Sequence, residues 1–156
     1  MSVTTETAKL MVGHLKNIVP DAEVRRSYLP VLEPEELEEI GKIVLCVVPV
    51  GRDATPYTNG GMQKHELAID ICINAKLHHM NDEPDALVAE IDELVAFAET
   101  IYALFLKKNK KNVDGLQVTF DQPEHVVLLD PEILQSNNCF LSVIRVNAEV
   151  YAKPEV

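Results

Sequence analysis

The sequence predicts an α+β fold: a mostly antiparallel β-sheet packed by one long helix and an N-terminal helix, in the order α–β–β–β–α–β–β. Three observations predict it. Between positions 81 and 112 the apolar residues Leu87, Val88, Ile91, Leu94, Val95, Ala98, Ile101, Tyr102 and Phe105 recur in steps of three and four, the period of a helix with one buried stripe. Residues 64–77 and 139–151 alternate with period two, as half-buried strands do. The run Ile-Val-Leu-Cys-Val-Val-Pro-Val at 43–50 is β-branched and apolar throughout, so it reads as a strand covered on both faces.

The elements follow in order. Residues 5–18 form the first helix, capped by Thr4 or Thr5, with Ala8, Met11, Val12, Leu15 and Ile18 as its stripe and Pro20-Asp21 as its stop. Residues 23–29 read as an edge strand: Val24, Arg26 and Tyr28 share one side, Glu23, Arg25, Ser27 and Leu29 the other, and charge on an edge discourages indiscriminate pairing. Pro34 opens a short helical turn that ends at Gly41. After the apolar strand, residues 51–63 hold Arg52, Asp53, Pro56, Tyr57, Asn59, Gly60 and Gly61; this polar, turn-rich composition predicts a long hairpin loop. In the strand that follows, Leu67, Ile69, Ile71 and Ile73 face the core.

The long helix is expected over about 84–108. Asp82 caps it, Pro84 and Asp85 occupy its first turn, and Lys107, Lys108, Lys110 and Lys111 sit at its negative end. Phe97 and Leu104 lie well off the stripe centre, and two readings are open for them: they border a wide core face, or they form a second apolar surface that another copy buries. An Asp114-Gly115 turn leads to a strand with Leu116, Val118 and Phe120 inward, which residues 125–129 extend. Asp130-Pro131 starts one capped helical turn. In the last strand Phe140, Ile144, Val146, Ala148 and Val150 share one face, and Arg145, Asn147, Glu149 and Tyr151 the other. All 156 residues are expected in one domain.

Charge and composition narrow the function. A net charge of −11, from 25 acidic against 14 basic residues, argues against a dedicated nucleic-acid binder, although an acidic wall lets DNA pass without holding it. No apolar run approaches the ~20 residues of a membrane span, and the N-terminus lacks the regions of a signal peptide, so synthesis in the cytosol is expected. Cys46, Cys72 and Cys139 each sit in a strand without CxxC spacing, which points to reduced, buried thiols and not to zinc. His78-His79 with Asp82, Glu83 and Asp85 is the closest approach to a metal site, but adjacent histidines point apart and the acids are explained by the helix start. His14 lies on a helix and His65 opens a strand beside the loop, and no catalytic signature appears. The expectation is no enzyme, no metal and no cofactor.

Taken together, Arg25-Arg26-Ser27-Tyr28-Leu29-Pro30, the apolar strand, the long loop, the strand 66–73, the single long helix, then 116–120, Asp130-Pro131-Glu132 and the strand 140–151 give an order of elements that resembles the small tail-terminator and head–tail completion proteins of long-tailed bacteriophages and prophages. The resemblance covers most of the chain and rests on element order. It implies a structural virion protein that forms a ring, commonly of six copies, where tail tube meets head. It implies as partners the chain itself, tail-tube and connector proteins, and passing DNA without specific binding. It also implies assembly in the bacterial host cytoplasm and residence in the virion tail or neck. A ring needs two unlike patches per subunit; Arg25, Arg26, Phe97, Leu104, Arg145 and Tyr151 are the candidate interface residues. Arg52, Asp53, Tyr57 and Asn59 are the candidate partner contacts of the loop. The competing reading is a small, dimeric α+β module that binds a ligand or a protein. An enzyme using His78 or His79 is the third.

Overall fold

Among the described residues six strands form one mixed sheet, ordered from edge to edge as residues 23–26, 44–59, 62–76, 139–152, 116–127 and 109–113. The structure, a computed structural model, describes residues 2–59, 61–113 and 115–153, without the side chains of Arg52 and residues 54–59. The chain runs α1 (Val3–Ile18), β1 (Glu23–Arg26), α2 (Pro34–Ile40), β2 (Val44–Asn59), β3 (Met62–Lys76), α3 (Pro84–Leu104), β4 (Asn109–Val113), β5 (Leu116–Val127), α4 (Pro131–Asn137) and β6 (Cys139–Ala152). β1 joins β2 in parallel; every other pairing is antiparallel. The α+β class and the mostly antiparallel sheet are those the sequence predicts.

Period-two alternation sorts the strands onto two faces. On the first face Leu45, Val47, Leu67, Ile69, Ile71, Ile73, Val118, Phe120, Ile144, Val146 and Val150 meet Ala8, Met11 and Leu15 of α1 and Leu94, Ala98 and Ile101 of α3. Burying such side chains stabilises by about 1.5–3 kcal/mol each, so this layer dominates the stability of the domain. The second face has a smaller cluster in which Leu37 of α2 packs on Val44, Cys46, Val48, Cys72, Leu141 and Val143. That cover reaches only the end of the sheet near Val44. Toward the β2–β3 turn the second face carries Asp70, Glu66, Arg145, Asn147, Glu149 and Tyr151, and no helix lies over them among the described residues.

Three expectations are corrected. Residues 51–63 are not a loop: β2 runs on to Asn59 and pairs with β3 through Asn59 and Met62, leaving a two-residue connection. Gly60 lies outside the described residues, and Gly61 has φ +82°, a left-handed value that glycine adopts without strain. The Pro, Gly and polar residues that suggest a loop are also those an edge strand tolerates, and register shifts between Pro49 and Gly51 and between Ala54 and Thr58 absorb them.

The long helix ends at Leu104, not near residue 108. Its 21 residues span about 31 Å at ~1.5 Å each. The Asn109 side-chain amide donates to the carbonyls of Leu104 and Lys107 at 3.0 and 2.9 Å, and Lys110 and Lys111 enter β4 opposite Thr119 and Val118. A ladder of hydrogen bonds outweighs the ~0.3–1 kcal/mol that a cation gains at a helix end. Finally, Asp82 does not cap α3; Glu83 holds the cap position without a side-chain bond, and Asp82 binds His79. At α4 the expectation holds, with Asp130 accepting from the amides of Glu132 and Ile133.

Candidate functional site

The uncovered half of the second face is a wall of cross-strand polar pairs. Asp70 on β3 stands opposite Arg145 on β6, whose Nε and Nη2 donate to its two carboxylate oxygens at 2.8 and 3.1 Å. The Asp70 side chain is only 10% exposed against 41% for Arg145, so the arginine shields the acid and is held above its ordinary pKa by it. Toward the turn, Lys64 approaches Glu149 at 3.9 Å and Glu66 at 3.5 Å, and Glu149 and then Tyr151 raise its pKa. Asn147 donates to Asp121 at 3.3 Å. Tyr151, beside Lys64 and Gln117, borders a polar recess of about 410 Å³ that Lys108, Lys110 and Asn112 also line. Bidentate pairs fix side chains in place, so this wall is preorganised for recognition by another polar surface.

The other candidate interface residues lie elsewhere. Arg25, on β1 and on the same face of the sheet as Cys46, is held at 2.8 Å by both Glu36 and Glu23, which raise its pKa in that order. Arg26 beside it is exposed. Phe97 and Leu104 are half-buried and pack against the first-face core, so the border-of-core reading accounts for both. The structure therefore unites Arg145 with Tyr151, sets Arg25 and Arg26 on an outer strand, and puts Phe97 and Leu104 in the opposite layer. Arg52, Asp53, Tyr57 and Asn59 lie along β2 and not in a loop; Asp53 is exposed, and the side chains of the other three fall outside the described residues.

Phe97 also borders an apolar groove. On one side of it are Ile18, Val19, Pro20 and Ala22, enclosing about 530 Å³ with Ile43; on the other are Leu94, Ala75 and His78, enclosing about 360 Å³. Nearby, Glu90 accepts from the backbone amides of His78 and His79 at 2.9–3.1 Å. His79 Nδ1 sits 2.6 Å from Asp82, which raises the histidine's pKa. This cluster closes the turn before α3, and among the described residues no group of three or more metal-ligating side chains forms.

The three cysteines are buried and free; desolvation pushes the thiol pKa of Cys46 up to about 11 and that of Cys72 up to about 12. Two positions that sequence reasoning passed over matter locally. Asp70 reads as one polar member of an alternating strand. Asn74 is buried and clamps residues 30–32, its Nδ2 donating to Pro30 and its Oδ1 accepting from Leu32. A polar residue inside an otherwise apolar strand is the signal that marks both.

Comparison with protein-family models and with curated proteins finds no match to this chain. The site's chemistry rests on its own geometry.

Proposed function

We propose that this chain is a structural ring subunit of a long-tailed phage or prophage, acting at the tail end or head–tail junction. The observation that carries this reading is the uncovered half-sheet. Its charges are tied in cross-strand pairs led by Asp70–Arg145, and it lies beside the paired β2–β3 hairpin. Uncovered, preorganised polar walls serve docking to another protein surface better than they enclose a substrate. The element order supports the same reading through its resemblance to tail-terminator proteins. The wall's Asp70, Glu66 and Glu149, within a chain of net charge −11, suit a surface past which DNA moves without adhering. In this reading the chain is not an enzyme and needs no cofactor. It assembles in the host cytoplasm with copies of itself, then meets tail-tube and connector proteins.

The test is deletion of the gene from the phage or prophage that encodes it. Tails of uncontrolled length, or tails that fail to join heads, are expected, with rescue by the wild-type chain. Normal virions from the deletion would overturn the proposal.

The groove at Phe97 favours a second reading, a module that binds a small apolar ligand, because its volume falls within the usual range for such sites. A closed dimer that retains a ligand through purification would support that reading against the ring.

A further inference from the structure

The two edges of the sheet are unlike each other, and their differences are complementary. At one edge the outer side of β1 is unpaired, and so is the side of β2 away from β3 beyond Val47, among the described residues. Beside it lie Tyr28, Leu29 and Val50, exposed by 67%, 71% and 43%. The charge there is negative: Glu33, Glu35, Glu38 and Glu39 on and around α2 have no ion-pair partner among the described residues, and Arg25 is neutralised by Glu23 and Glu36. Arg26 and Lys42 are the exposed cations near them.

At the opposite edge the outer side of β4 is equally unpaired. It is flanked by the exposed apolar Leu106 and Val113. Lys107, Lys108, Lys110 and Lys111 make it positive, and none forms an ion pair among the described residues. Each edge thus offers free backbone groups, apolar side chains and a net charge, and the charges are opposite.

Strand direction adds a constraint. β2 is parallel to β1, and four successive antiparallel pairings lead from β2 to β4, so β1 and β4 run the same way. A two-fold contact would set acidic edge against acidic edge, or lysine against lysine. A head-to-tail contact sets unlike edges together.

We infer that the β4 edge of one copy docks on the β1–β2 edge of the next, continuing the sheet from subunit to subunit. Lys108 and Lys110, on the same face of the sheet as α2, then face its acids, while Leu106 and Val113 meet the apolar group at Tyr28, Leu29 and Val50. The inference rests on the ring reading for the existence of self-assembly and supplies the surface that closes it.

Complementary variants test it. In one, Lys107, Lys108, Lys110 and Lys111 become Glu; in the other, Glu35, Glu38 and Glu39 become Lys, with Glu36 kept for Arg25. Each is checked for native circular dichroism, and the neutral set Lys→Gln replaces any variant that does not fold. Association is read by sedimentation at low and moderate salt, and amide hydrogen exchange is followed in 23–26 and 109–113. The expected result is that each reversed variant alone associates roughly a hundredfold more weakly than wild type, that a one-to-one mixture regains assembly, and that both edge strands gain protection in the assembled wild type. If wild type assembles but the reversed variants assemble equally well, or the mixture stays dissociated, or the edge amides stay unprotected, this docking mode is wrong while the ring reading stands. A wild type that never assembles removes both.

Discussion

Replacing Arg145 by Ala should destabilise the fold well beyond what a surface ion pair contributes. The Asp70 carboxylate is 10% exposed and receives two charge-assisted bonds from that guanidinium, at 2.8 and 3.1 Å. Without it, the carboxylate loses both bonds in the middle of β3, and the water that the guanidinium had excluded replaces them only in part. Exposed pairs contribute about 0.2–1 kcal/mol, and breaking a buried pair costs about 3–5 kcal/mol. Arg145 is itself 41% exposed, so the loss is placed between these limits, at about 2–3 kcal/mol. For a domain of this size that corresponds to a melting temperature lower by roughly 5–10 °C. Urea and thermal unfolding followed by circular dichroism, at one fixed protein concentration, measure it. The double variant Asp70→Ala/Arg145→Ala should be less destabilised than the sum of the singles, with a coupling of about 1–2 kcal/mol. A single-variant loss under about 0.5 kcal/mol with no coupling would refute the view that this pair organises the wall.

Three further outcomes are expected. His14 has its pKa lowered, first by burial and then by Lys111; the unfolded chain takes up a proton more readily, so stability is lost as pH falls through 6.5 toward the folded value, and His14→Gln should flatten that limb of a pH–stability curve. His79 has its pKa raised, first by the hydrogen bond it donates to Asp82; its stabilising contribution is complete below 6.5 and disappears as pH rises through the folded value, and Asp82→Asn should bring its NMR titration back toward 6.5. With pKa values near 11 and 12, the buried Cys46 and Cys72 should not react with a thiol reagent at neutral pH until the protein is unfolded, and fast native labelling of either would contradict the packing under α2.

Periodicity made much of this fold legible. The 3.6-residue stripe through Leu94, Ala98 and Ile101 and the period-two runs of Leu67–Ile73 and Phe140–Val150 are buried where the sequence puts them. Legibility failed where one composition suits two conformations. Pro56, Asn59 and Gly61 mark a loop as readily as a bulged outer strand, and only pairing to β3 decides between them. Lys107–Lys111 suit a helix end, yet the partner that draws Lys110 and Lys111 into β4 is Leu116–Phe120, beyond the turn. Tertiary pairing overrides local preference in both cases.

The site was legible only in part. Arg145 and Tyr151 share a face by strict alternation, which the sequence displays. That Asp70 meets Arg145 depends on the β3–β6 register, and no local feature of either strand sets that pairing. Phe97 and Leu104 stand off the helix stripe, but the width of the layer below a helix is not encoded in the helix itself. The contrast between the sheet edges appears only once the strand order puts β1 and β4 at opposite ends.

The most direct test of the account is the mass of the purified wild-type chain by sedimentation velocity across a concentration series at moderate salt. The account predicts a discrete species several times 17.4 kDa, six-fold if the ring follows the proteins it resembles. A particle that remains at 17.4 kDa throughout, or stops at a two-fold dimer, would contradict it.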